Sequence, residues 1–331
     1  MNTSRGPESG WRPSAALDVL KLRARMRERL RAFFSARGVL EVDTPALSTA
    51  ATTDLHLQSF SCRSVGLGTQ TLYLHTSPEF PMKRLLAAGS GSIYQICNVF
   101  RDGEAGRLHN PEFTMLEWYR VGFDYHQLMD ETAALIVDAL AGSRTLEAPE
   151  KLTYAHAFER HCGINPHTAN SAVLAAIVKS KAIPVHTAPE REEVDTLRDL
   201  LLTHVVEPQL GRGRVTLLYD YPASQAALAR IRPDTPPVAE RFEAYLDGIE
   251  LANGFHELLD AGEQRARFAR DLAKRKQQGL PAVPMDERLL AALEHGLPEC
   301  SGVALGFDRL VMLAAGAHSL AAVLPFSVDR A

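Results

Sequence analysis

The sequence predicts an α+β protein in which two blocks of strands are separated by a run of helices. Three observations carry that reading. Segments 93–100 and 113–119 are β-patterned and joined by a polar loop rich in turn residues. Segments 241–246 and 249–252 flank Asp247 and Gly248, a strong hairpin signal, so the second should run back antiparallel to the first. Between these blocks, segments near 126–141, 153–162, 170–180 and 190–206 have helical spacing, with Pro and Gly punctuating them.

Taken in order, residues 1–16 read as a short disordered N-terminal tail without the apolar core of a signal peptide. From residue 17 onward the chain reads as one domain, 17–331, carrying a helical insertion at about 126–206. Val19, Leu22, Met26, Leu30 and Phe33 step by three or four, which marks a long amphipathic helix stopped by Gly38. Segment 39–42 then reads as a strand closed by Asp43, Thr44 and Pro45. This helix and strand suit a dimer-forming element, and packing within one chain fits the pattern equally well.

Composition narrows the function classes. The chain has 331 residues, 46% hydrophobic and 23% charged, ordinary for a soluble globular enzyme with a large core. A formal net charge of -4 gives no overall attraction to nucleic acid, and the basic clusters 21–31 and 265–276 read as solvated helix faces. Cys62, Cys97, Cys162 and Cys300 form no CxxC, as expected of a cytoplasmic protein with reduced thiols. No stretch reaches transmembrane length.

The chemistry concentrates in FRDGEAGRLHNPEFTMLEWYR, residues 100–120. Arg101 ends the first strand and offers a fork of donors suited to phosphate. On the next strand, alternation puts Phe113, Met115, Glu117 and Tyr119 on one face and Thr114, Leu116 and Trp118 on the other. Glu117 therefore sits on an otherwise apolar face, which is costly without a cation, and a substrate ammonium can supply one. In the second hairpin, Glu250 lies opposite Tyr245 and diagonal to Glu243 on one face. Two carboxylates that close call for a hard divalent ion such as Mg²⁺, although exposed edge glutamates would leave the same pattern. Asn253 and Gly254 should form a bulge or bend that re-aims Glu257 toward the same place. Near the C-terminus, SGVALGFDRL runs from a strand through Gly306 into a helix with Asp308 and Arg309 in its first turn. An arginine there opposes the helix dipole, which points to an anion.

These blocks, in this order, resemble the three signature motifs of class II aminoacyl-tRNA synthetases, most closely the lysyl-tRNA synthetases. The helix and strand ending at Pro45 are similar to motif 1, the dimer interface; FRDGEAGRLHNPEF is similar to motif 2 and GVALGFDRL to motif 3. The resemblance implies an antiparallel sheet flanked by helices, ATP bound on it, and an aminoacyl-adenylate product. It implies that Arg101 holds the α-phosphate and Arg309 faces the γ-phosphate. Asp102, Gly103, Asn110, Leu251 and Gly306 should approach ATP, and Glu243 and Glu250 should hold Mg²⁺. Thr76, Ser77, Pro78 and Glu79 should seat the amino acid's α-amino end, and Glu117, Tyr119, Asn253 and Glu257 its basic side chain. Ser77 stands where synthetases commonly have alanine, and Gly103 replaces an acidic residue, with Glu104 one step later.

Only 16 residues precede the motif 1 helix, where lysyl-tRNA synthetases carry an OB-fold that reads the anticodon. With PASQAALAR at 222–230 and FSVDRA at 326–331, the chain resembles the elongation factor P lysine ligase family. That resemblance implies ATP-dependent activation of lysine or (R)-β-lysine and its transfer to a lysine ε-amino group on elongation factor P. It implies a cytoplasmic homodimer without membrane attachment or anticodon recognition. The other readings are a truncated synthetase that charges tRNA and a catalytically silent regulatory paralogue.

Overall fold

The computed structural model describes residues 11–66, 70–185 and 187–331. Helix α1 (Leu17–Ser35) leads into β1 (Leu40–Glu41), followed by β2 (Leu47–Ser48), β3 (Ser61–Arg63), β4 (Thr71–Leu74) and α2 (Glu79–Ala87). Strands β5 (Ile93–Phe100) and β6 (Glu112–Val121) precede α3 (Tyr125–Leu140), β7 (Glu150–Thr153), α4 (Tyr154–Cys162), α5 (Ser171–Ser180) and α6 (Val194–Leu201). Then come β8 (Thr216–Pro222), β9 (Ile231–Arg232), β10 (Val238–Leu246), β11 (Ile249–His256), α7 (Ala261–Gln277), α8 (Glu287–His295), β12 (Cys300–Gly306) and α9 (Phe307–Ala314).

One large sheet runs in the order β1-β5-β6-β12-β11-β10-β8-β7, with β9 alongside β10; β2, β4 and β3 form a small separate sheet. The expected antiparallel pairing holds through the middle, from β5 to β8, whereas β1 runs parallel to β5 and β7 parallel to β8. The sheet is therefore mixed. Its flanking strands are reached by connections carrying helices, which permit parallel pairing.

Helix starts follow local chemistry. Asp124 and Gln127 make a reciprocal capping box at α3, and Thr153, Asn170, Asp260 and Asp286 each accept a backbone N–H at the starts of α4, α5, α7 and α8. Asp247 and Gly248 both have positive φ, 53° and 73°, as a tight hairpin turn requires. Alternation along the strands sorts the sheet into two faces. Leu116 and Trp118 of β6 and Phe242, Ala244 and Leu246 of β10 join α1, α3 and α9 in the main core.

The opposite face is covered only at its sides. On one side α4, α5 and α6 pack with Leu218, Tyr221 and Tyr245; on the other, α2 and α8 pack with Ile93, Tyr119 and Cys300. The helices of segment 126–206 thus divide: α3 lies in the main core, and α4–α6 build their own. Within the N-terminal tail, residues 1–10 lie outside the described residues, while Ser14 and Ala15 donate backbone hydrogen bonds to Pro325 and Leu324. Among the described residues no helix is long and apolar enough to cross a membrane.

Candidate active site

Between the two smaller cores the open face of the sheet holds a cavity of about 1300 Å³. Arg101 stands at one end. Its backbone N–H donates to Pro111 O (2.8 Å), its Nε to Thr76 O (3.2 Å), and its guanidinium lies 3.5 Å from Glu104. Arg309, in the first turn of α9, donates to the Glu250 carbonyl (2.8 Å) and to His109 Nε2 (2.9 Å). Burial first, and Arg309 second, push the His109 pKa down, so a neutral ring accepts that bond. Both guanidiniums keep N–H donors for an anion. Among the described residues a Cβ at Gly306 would touch only the Arg309 side chain, at 3.7 Å, an ordinary contact that does not demand glycine.

Glu243 and Glu250 both line the cavity, but they differ. Glu243 already accepts from Arg241 (2.5 Å), Tyr221 (2.5 Å) and Tyr245. Among the described residues the Glu250 carboxylate meets only Arg309, at 3.4 Å. Burial, followed by the charge of Glu243, raises the Glu250 pKa against the pull of Arg309 and Arg101. A hard cation would relieve that crowding, so the pair fits Mg²⁺, with Glu250 the freer ligand. Among the described residues, no group of three or more His, Cys, Asp or Glu is placed to hold a metal.

At the other end, Glu117 and Tyr119 face the cavity from β6 as alternation predicts, and Tyr119 Oη donates to Glu117 Oε1 at 2.7 Å. Glu117 Oε2 is buried and has no hydrogen-bond partner among the described residues. Burial and then the Glu79 charge push the Glu117 pKa up to about 8. Burial likewise raises Glu257, to about 7, although Lys83 works against it. The Lys83 ammonium lies 2.6 Å from both Glu79 and Glu257. Burial opposes its charge, yet these two carboxylates hold its pKa above the usual lysine value.

Of the residues expected from sequence, Arg101, Asn110, Glu250, Leu251, Gly306, Arg309, Ser77, Glu79, Glu117, Tyr119, Asn253, Glu257 and Glu243 come together around this cavity. Asp102, Gly103 and Pro78 do not line it. The backbone of Asp102 is bonded to Gln58 O (2.8 Å), Gly103 takes a left-handed turn at φ 82°, and Pro78 supplies the carbonyl that opens α2. That turn presents Glu104 to the cavity instead. Asn110 is tied on both sides, donating to Glu112 O and accepting from Val328 N–H in the C-terminal segment.

The expected bend at Asn253 and Gly254 is also corrected. Both lie inside β11, paired with Glu243 and Phe242, and the bulged residue is Leu251, since Tyr245 pairs with Glu250 and Ala244 with Ala252. Gly254 is needed because a Cβ would stand 2.5 Å from the Phe242 ring. The bulge reverses side-chain parity, bringing Asn253 onto the face of Glu243.

The class II tRNA synthetase (D, K and N) family model matches residues 10–330. The chain belongs to this family. Within it, the chain is 52% identical over 324 residues to elongation factor P--(R)-beta-lysine ligase of Klebsiella pneumoniae, covering 97% of this chain and 98% of that one. It is 52% identical over 326 residues to the protein of the same name in Edwardsiella ictaluri, covering 98% and 99%. The Salmonella gallinarum protein of that name also shares 52% over 324 residues, 97% of this chain and 98% of its own.

Four residues of this class II synthetase site escape the sequence reading: Lys83, His109, Arg241 and Gly302. Two had local signals. Lys83 follows Glu79 by four residues on a helix, and Arg241 shares the face of Glu243 two residues away. Arg241 joins the two parts of the cavity, donating to Asn253 Oδ1 (3.1 Å) as well as to Glu243. His109 and Gly302 had no such signal, because their neighbours come from other segments.

Proposed function

We propose that this chain activates lysine or (R)-β-lysine with ATP and transfers it to a lysine ε-amino group of elongation factor P, in the cytoplasm and as a homodimer. The observation that carries this reading is the polarity of one cavity. Two guanidiniums stand at one end, and Glu79, Glu117 and Glu257 crowd the other around one internal cation. An ammonium-bearing acid fits that second end, and the phosphates of ATP fit the first. The name that the relatives share supplies the acceptor and the β-amino acid.

In the first step a carboxylate oxygen of the amino acid attacks the α-phosphorus of ATP, and pyrophosphate leaves with the electron pair of the broken P–O bond. Arg101 steadies the α-phosphate and Arg309 the γ-phosphate, both as fixed donors that need no reorganisation. Mg²⁺, held by Glu250 with Glu243 beside it, would supply positive charge to the phosphates. In the second step the acceptor amine attacks the carbonyl carbon, AMP leaves with the electron pair of the broken acyl C–O bond, and the amine's proton passes to water. Ser77 accepts the Glu79 backbone N–H at 3.1 Å, which fixes the start of α2 and so the carboxylate meant for the substrate's amino group. Tyr119 keeps one Glu117 oxygen occupied and leaves the other for the side-chain ammonium.

The test is to incubate enzyme, ATP and each amino acid with elongation factor P or with lysine tRNA and weigh the products. The expected result is one added aminoacyl mass on the factor, with (R)-β-lysine or lysine as donor. Charged tRNA with an unmodified factor would overturn the reading.

A further inference from the structure

We infer that Lys83, which stands behind the cavity wall, is a positioning residue that sets how many positive charges the amino-acid end selects. The inference rests on the reading of that end given above. Lys83 is only 2% exposed and does not line the cavity, so it acts through the carboxylates it touches. Glu79 lies one helical turn before it on α2, and Glu257 immediately follows the end of β11. Its single ammonium bridges both at 2.6 Å.

The charge balance follows directly. Glu79, Glu117 and Glu257 are three acids, and among the described residues Lys83 is the cation paired with two of them. Two negative charges are left to the substrate. An acid with two ammonium groups satisfies both, while its own carboxylate is free for the arginine end. A substrate with one ammonium leaves a buried carboxylate without a counter-ion, which is strongly unfavourable. Remove the charge of Lys83 and the count changes: the carboxylates crowd further, take up protons, and lose the acceptors that orient the diamino acid. An i,i+4 pair on an exposed helix would have no such reach. Here the bridge fixes two walls of one pocket.

The experiment is ATP–pyrophosphate exchange, titrating ATP and the diamino acid separately, on the wild type and on Lys83→Met, Lys83→Arg, Glu257→Gln and the Lys83→Met/Glu257→Gln double variant. Lys83→Met should raise the KM for the diamino acid by about tenfold or more while the KM for ATP stays within about twofold. Lys83→Arg should recover most of the loss. Because both changes break the same bridge, the double variant should lose less than the product of the single losses. If Lys83→Met does not fold, Lys83→Gln, which keeps hydrogen-bond donors without the charge, carries the same expectation. An unchanged amino-acid KM, an equal loss in both KM values, or fully multiplicative losses would overturn the inference while leaving the site reading intact. A wild type that exchanges with no diamino acid removes the reading of the site itself.

Discussion

Replacing Gly302 by alanine should damage the amino-acid end and leave the nucleotide end alone. Gly302 sits on β12 opposite Tyr119 of β6 and Phe255 of β11. An added Cβ would lie 2.3 Å from Tyr119 Cε1 and 2.5 Å from Glu257 Oε1. Carbon atoms rest at about 3.5–4.0 Å, so the ring must withdraw by about 1.2–1.7 Å. Tyr119 is fully buried between strands and its hydroxyl holds Glu117 at 2.7 Å, so retreat breaks that bond. Overpacking costs about 1–3 kcal/mol, and losing the hydrogen bond to Glu117, whose carboxyl burial keeps largely protonated, about 0.5–1.5 kcal/mol more. For a chain of 331 residues that corresponds to a Tm lower by about 2–6 °C. Calorimetry measures that drop, and exchange kinetics should show a raised amino-acid KM with the ATP KM unchanged. A variant with wild-type Tm and wild-type amino-acid KM would refute the argument that contact geometry requires this glycine.

Three further outcomes follow from the same geometry. Arg101→Ala should abolish pyrophosphate release, a loss of about a hundredfold or more, and wild-type exchange in that variant would remove its phosphate role. Glu117 and Glu257 titrate near 8 and 7, above their unfolded values. The folded state therefore holds more protons than the unfolded state from about pH 4.5 to pH 8, so these groups lower stability as pH rises through that window. A diamino acid favours the ionised carboxylates, and its stabilisation of Tm should be larger at pH 8 than at pH 6; a gain independent of pH would contradict the assignment. Asp308 is buried, pairs with Arg23 of α1 and accepts from Thr114 N–H at 2.7 Å. Asp308→Ala should cost about 3–5 kcal/mol by chemical denaturation, because Arg23 is left as an unpaired buried charge.

Much of the fold and part of the site were legible in the chain. Alternation along residues 113–119 already separated Glu117 and Tyr119 from Trp118, since side-chain parity within a strand is a local property. The Asp247–Gly248 turn and its antiparallel partners were equally local, because positive φ at both positions selects those residue types. So were the helices of segment 126–206, through their period and caps. What could not be read was which of them would share the main core, because α3 and α4–α6 are told apart only by the surfaces they meet.

The site shows the same division. Sequence by itself determined the charged groups and their order, Arg101, Glu117, Glu243, Glu250, Glu257 and Arg309, and the strand faces of Glu117, Glu243 and Glu250. Tertiary structure alone decided that the bulge falls at Leu251 and turns Asn253 to the cavity, that Glu104 takes the place expected of Asp102, and that Lys83 joins Glu79 to Glu257. Gly302 has no role until two other strands close on it. The physical reason is common to all of these. Periodicity and turn chemistry act between neighbours along the chain, whereas register, counter-ions and close contacts act between segments that only the fold brings together.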